Sequence, residues 1–158
     1  MLSIEGFETL VAEANTALLG RVPAKITYTN TTDLSANAPE NDAVIKQEIG
    51  EGANIYAVWT RDKSSNPWRV MYIGQRTQQF VVERIKQHLF KTPNGTQSKI
   101  EQVTQLVQSG KEIGLSAVLV APDPIRLSVE DQLIFRNTNS ETDLLWNNKS
   151  RNVGIPRA

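Results

Sequence analysis

The sequence predicts an α+β fold: a small three-stranded antiparallel sheet flanked by helices, with a helical extension at the N-terminus. Three observations lead there. Residues 53–60 and 68–73 are β-branched and aromatic runs separated by the polar cluster Asp62-Lys63-Ser64-Ser65-Asn66-Pro67, the pattern of a hairpin with a long loop. Residues 114–121 carry Leu115, Val118, Leu119 and Val120, a third strand of the buried type. Around these runs apolar residues recur at helical spacing, which supplies helices to cover the sheet.

Taken in order, the first element is a helix. Ser3 is placed to cap it near Ile4, Phe7, Leu10, Val11, Ala14 and Leu18 share a face, and Gly20 stops it. Residues 25–28 read as a short strand. Residues 30–41, rich in Thr, Asn, Ser, Ala and Pro, read as an exposed loop. Residues 43–49 fit helix and strand equally. The hairpin follows, Gly74 ends its second strand, and 77–90 has helical spacing. Asn94-Gly95 marks a turn, and a helix from about Ser98 turns Ile100, Val103, Leu106 and Val107 inward until Gly110. Pro122 and Pro124 break the third strand. Ser128-Val129-Glu130-Asp131 then resembles a capping box, with Ser128 as N-cap, leading into Leu133, Ile134 and Phe135. Residues 137–142 are turn-like, 144–148 are apolar and then amide-bearing, and the basic tail is expected to fray. Residues 1–50 are thus an N-terminal extension of helix plus loop, and residues 51–158 the core that carries the site.

Composition narrows the function. At 158 residues one domain is expected, burying about two-thirds of its unfolded surface. With no cysteine, disulfides, thiolate zinc sites and thiol nucleophiles are excluded. Basic and acidic residues balance at 17 each, against a purely electrostatic DNA binder. Arg61, Arg69, Arg76, Arg84, Lys86, Lys91 and Lys99 nevertheless crowd the middle, which leaves room for a locally basic face. No apolar run approaches the ~20 residues of a membrane helix, and the N-terminus lacks a basic-then-apolar signal. A soluble cytoplasmic protein without a membrane partner is expected.

The chemistry concentrates between Asn54 and Phe90. Tyr56 and Tyr72 stand on neighbouring strands, and Arg84 and His88, four apart, share a helix face. A guanidinium fork suits a phosphate, and a phenol or imidazole beside it can move a proton. Singly, each residue has a plainer use. Tyrosines on strands are mostly core, an exposed arginine mostly forms a weak surface pair, and an acid in a first helical turn is favoured by the helix dipole alone.

Together, Asn54-Ile55-Tyr56, Tyr72-Ile73-Gly74, Arg84, His88, Glu130 and Asn147 resemble the motifs of the GIY-YIG nucleases in order, over roughly residues 54–148. The resemblance implies a metal-dependent phosphodiesterase. Tyr56 would activate water, Tyr72 orient it, Arg84 bind the scissile phosphate, His88 relay a proton or contact the phosphate, and Glu130 hold Mg²⁺ or Mn²⁺. Asn147, with Asn148 and Asn152 as alternatives, would close the site. Gly74, Gln75, Arg76, Lys86 and Lys91 are expected to face DNA.

Four departures stand out. Asn54 replaces the first motif's glycine. Gln75 and Arg76 follow Gly74 where many members have a lysine. The intervals from Tyr56 to Tyr72 and from Glu130 to Asn147 are longer than usual. The expected function is a divalent-metal-dependent DNA endonuclease, with a restriction-type enzyme favoured. For a symmetric site a homodimer would suit, and the loop at 30–41 would be free to reach a groove. The alternatives are a toxin nuclease paired with an inhibitor protein, and a non-catalytic nucleic-acid-binding module of the same fold.

Overall fold

The computed structural model describes residues 1, 3–91, 98–138 and 144–147. The elements are α1 (Phe7–Leu19), β1 (Ala24–Ile26), α2 (Ala38–Ile49), β2 (Ile55–Arg61), β3 (Arg69–Gln75), α3 (Val81–Leu89), α4 (Ile100–Gln108), β4 (Glu112–Val118) and α5 (Arg126–Asn137). The fold is α+β. Among the described residues the antiparallel sheet has four strands in the order β1-β4-β2-β3, not three. The additional strand is β1, three residues long, which pairs Ala24 with Leu115 and Ile26 with Ile113. The short strand read at 25–28 is thus present, shifted to 24–26, and it joins the sheet at the open edge of β4.

Helices cover both faces. On one, Ile45 of α2, Val81, Ile85 and Leu89 of α3, and Val103 and Val107 of α4 pack with Tyr56, Val58 and Leu115. On the other, Val11, Ala14 and Leu18 of α1 and Val129, Leu133 and Ile134 of α5 pack with Ile55, Ala57 and Ile73. Alternation along β2 therefore sends Tyr56 to the first face and its neighbours Ile55 and Ala57 to the second. Residues 7–49 contribute a strand and two helices to this shared interior.

Several local expectations change. Residues 34–37 form a 3-10 turn and α2 begins at Ala38, so only part of the 30–41 stretch is exposed loop. Asn37 and Asn41 are buried there. The Asn41 amide accepts from Thr27 N and donates to Thr27 O, both at 2.8 Å, which satisfies a backbone stretch that no strand pairs. The first helix starts at Phe7, after Gly6 at φ 80°, not near Ile4. The last starts at Arg126, straight out of a 3-10 turn at Asp123–Ile125, so Ser128 lies inside it and makes no cap. Glu130 is then the fifth residue of α5 and not a first-turn acid, so the dipole explanation of its presence lapses.

Candidate active site

The hairpin register sets the site. Tyr56 lies opposite Gly74, and Val58 opposite Tyr72, so both phenols and Gly74 share one face. Gly74 is needed here for space. A Cβ on it would lie 2.5 Å from Tyr56 Oη and 2.7 Å from Tyr72 Cε2. Strand β3 runs on through Gln75, so Gly74 does not end it. The two phenol rings are 6.2 Å apart between centroids, and Tyr56 is only 1 % exposed.

Helix α3 presents Arg84 and His88 to this face. His88 is fully buried, and its Nε2 is 2.7 Å from Tyr56 Oη. Its other nitrogen, Nδ1, accepts the backbone N–H of Lys99 at 3.0 Å. Burial first, then the charges of Arg84 and Lys99, push its pKa down to about 3, so the ring is neutral. A neutral imidazole has one N–H, and Nδ1 is already an acceptor. The proton is therefore on Nε2, and His88 donates to the phenol oxygen. The His88 ring also stacks obliquely on Tyr72, 5.2 Å between centroids.

Charge around the phenols is mixed. The Tyr56 pKa is raised well above 10, by burial first and then by Tyr72 and Glu130, with Arg84 pulling it down. Tyr72 is raised by burial and Glu130, against Arg84 and a hydrogen bond from Tyr56. Arg84, half-buried, also donates to Gln87 Oε1 at 2.8 Å. The Lys99 ammonium lies 5.4 Å above the Tyr72 ring, and its pKa is lowered by burial and by Arg84.

Glu130 comes from α5 and lies close enough for its charge to act on both phenols. Burial, then Asp131, raises its pKa to about 7, with Arg126 opposing. Arg126 is otherwise engaged: its Nη1 pairs with Asp123 and its Nε donates to Gln75 Oε1 at 2.8 Å. Glu130 is thus a half-buried carboxylate whose ionised form lacks full compensation. Among the described residues no three His, Asp or Glu side chains gather into a metal cage. One such carboxylate still fits Mg²⁺ or Mn²⁺, hard cations that take oxygen ligands and keep several waters.

Five of the expected site residues therefore converge: Tyr56, Tyr72, Arg84, His88 and Glu130. Asn147 does a different job nearby. Its amide accepts from Ile73 N and donates to Ile73 O, both at 2.8 Å, along the outer edge of β3. It serves as a strand partner for that edge, while Asn148 and Asn152 lie outside the described residues. Gln75 is held by Arg126, Arg76 and Lys91 are exposed, and Lys86 pairs with Asp42 of α2 at 2.9 Å.

Sequence reasoning passed over two contributors. Asn54, read only as a departure from the motif, is fully buried. Its side chain donates to Val120 O at 2.8 Å, accepts from Val120 N at 3.0 Å and reaches Asp123 at 3.2 Å. It ties the first residue before β2 to the bend that launches α5, and so helps to place Glu130. Lys99, noted only as part of a basic run, supplies the amide that fixes His88. In comparisons with protein-family models, with curated proteins and with solved structures, nothing matches the chain.

Proposed function

We propose that the chain is a divalent-metal-dependent endonuclease that hydrolyses DNA phosphodiester bonds by GIY-YIG-type chemistry. The observation that carries this is the meeting of Tyr56, Tyr72, Arg84, His88 and Glu130, from β2, β3, α3 and α5, around a glycine kept bare at Gly74. A retired site of this kind would be expected to lose at least one member, which favours an enzyme over a binding module. Within this reading, the restriction type acting as a homodimer remains the favoured form.

Tyr56, once its own proton has gone to solvent, would take a proton on Oη from an attacking water. Its raised pKa means that the phenolate forms only with cationic help. Arg84 already pulls in that direction, and a cation on Glu130 would cancel the carboxylate's opposing push. His88 does not accept the proton. With its own proton on Nε2 it donates to Oη and stabilises that oxygen as an anion. Arg84 would donate to the non-bridging phosphate oxygens as charge builds on them. The water oxygen would bond to phosphorus while the bond to the 3′ oxygen breaks, and that oxygen would take a proton from solvent, leaving 5′-phosphate and 3′-hydroxyl ends. Held by Glu130, Mg²⁺ or Mn²⁺ would supply charge neutralisation for the leaving oxygen.

The test is incubation with plasmid and phage DNA in Mg²⁺ or Mn²⁺, with and without EDTA, followed by sequencing of the ends. Metal-dependent cleavage with 5′-phosphate ends is expected, and Glu130→Ala should abolish it. Full cleavage by Glu130→Ala would refute the metal role, and no cleavage under any of these conditions would refute the nuclease reading.

A further inference from the structure

We propose that Lys99 binds a backbone phosphate of DNA at this site, beside Arg84. The inference rests on the phosphodiesterase reading. Gln75 is tied to Arg126, and Arg76 is exposed. Lys99 arrives instead from the start of α4. Its backbone N–H is fixed on His88 Nδ1 at 3.0 Å, which anchors the residue against the catalytic cluster. From that anchor its side chain runs over the face of Tyr72, with the ammonium 5.4 Å from the ring centroid.

The electrostatics ask for an anion there. Lys99 and Arg84 are near enough for each charge to oppose the other, and both act on His88. Some basic side chains on the surface of this protein have acids: Arg21 with Glu48, Lys25 and Arg61 with Glu112, Lys86 with Asp42, Lys111 with Asp62. Among the described residues no carboxylate forms an ion pair with Lys99. A half-buried ammonium beside a guanidinium and above a phenol, with no such pair, is held against repulsion and desolvation. A phosphate between the two cations relieves both. The lysine acts as a point charge and the arginine as a fork, a division of labour that suits one non-bridging oxygen each.

The geometry also makes a clean experiment. Because the bond to His88 uses the backbone amide, replacing the Lys99 side chain leaves the imidazole fixed, and methionine keeps the apolar stem over Tyr72. Binding of a fluorescein-labelled DNA duplex is measured by anisotropy in Ca²⁺ over a range of salt. Each phosphate contact contributes about 0.9 to the slope of log affinity against log salt. Lys99→Met should lower the slope by about that amount, so that a tenfold rise in salt weakens binding about eightfold less than in the unsubstituted protein. Lys99→Arg should restore the slope, and Lys111→Met, at the far end of β4, should leave it unchanged. Lys99→Gln is measured alongside, and thermal melting confirms that each variant is folded. An unchanged slope in Lys99→Met and Lys99→Gln overturns the inference and spares the phosphodiester reading. So does an equal loss in Lys111→Met, which would make the effect one of net charge. Failure of the unsubstituted protein to bind duplex DNA overturns both.

Discussion

Gly74→Ala is the sharpest test of the site, because the added atom lands on the proposed base. The new Cβ would lie 2.5 Å from Tyr56 Oη, against 3.4 Å for ordinary contact, so about 0.9 Å must be found. Little can yield. Tyr56 is 1 % exposed, with β2 in the centre of the sheet and its hydroxyl against His88 Nε2 at 2.7 Å. The second clash, 2.7 Å to Tyr72 Cε2, closes the other direction. Gly74 is not among the positive-φ glycines, so alanine meets no backbone strain and the effect is steric alone.

Overpacking of this kind costs about 1–3 kcal/mol. Thermal unfolding should show that loss as a lowered but still cooperative transition. A displacement of about 1 Å at a reacting group costs on the order of a hundredfold in rate. Single-turnover cleavage in Mg²⁺ should therefore fall at least that far, at a temperature where the variant is fully folded. Cleavage at the unsubstituted rate in a folded Gly74→Ala protein would refute the placement of Tyr56 Oη at the reacting centre.

Other outcomes follow from the same geometry. Arg84→Ala should slow single-turnover cleavage by roughly 10²–10³, the usual loss for one transition-state donor; a change below tenfold would remove it from that role. His88→Gln keeps an amide donor near the Nε2 position, whereas His88→Leu leaves Tyr56 Oη without this donor and the Lys99 N–H without its acceptor, at about 1–3 kcal/mol for each buried group. Glutamine should therefore retain more activity and a higher melting temperature than leucine, and equal loss in both would argue against the donor role. Glu130 bears on stability with a definite sign. The unfolded carboxylate ionises above about 4.5 while the folded one keeps its proton to about 7, so its penalty is absent below 4.5 and complete above 7. Without metal, Glu130→Gln should then be more stable than the unsubstituted protein at pH 8, by on the order of 1 kcal/mol after allowing for partial exposure, and not at pH 4. Deleting residues 1–50 should prevent folding rather than yield an active core, read by circular dichroism, because β1, α1 and α2 leave with them.

The hairpin and the i, i+4 pair on α3 were legible because alternation, a turn-rich tip and helical spacing are local signals. What was illegible depends on tertiary partners. The short strand read at 25–28 sits at 24–26, and only the fold shows that it pairs with β4 and so joins the sheet. Asn37 and Asn41 belong to the residue types that mark loops, yet here they are buried because each satisfies backbone groups with no other partner. Ser128 had the spacing of a cap, but a 3-10 turn starts α5 two residues before it. Lys99 lies 11 positions from His88, so no periodicity announces its contact. Asn54 was visible as a substitution, but its use as a clamp on Val120 could not be read without the fold.

On the proposed reading, these positions would let a weakly acidic phenol serve as a base only when the metal is bound. In the protein alone, burial raises Tyr56 and Tyr72 and lowers His88 and Lys99, each towards its neutral form, and raises Glu130 likewise. Neutral groups can be kept out of water at less cost than ions, so the site can be built into the interior of the fold. On the proposed reading, binding would reverse the balance. A cation on Glu130 would favour the carboxylate and remove its push on both phenols, and a phosphate beside Arg84 and Lys99 would favour the charged ammonium. The tautomer of His88 is the one part that need not change, since its Nδ1 is held by a backbone amide and its Nε2 proton already points at Tyr56. The same donor would serve the phenol before deprotonation and the phenolate after it, so the oxygen would gain charge without any rearrangement of its neighbour.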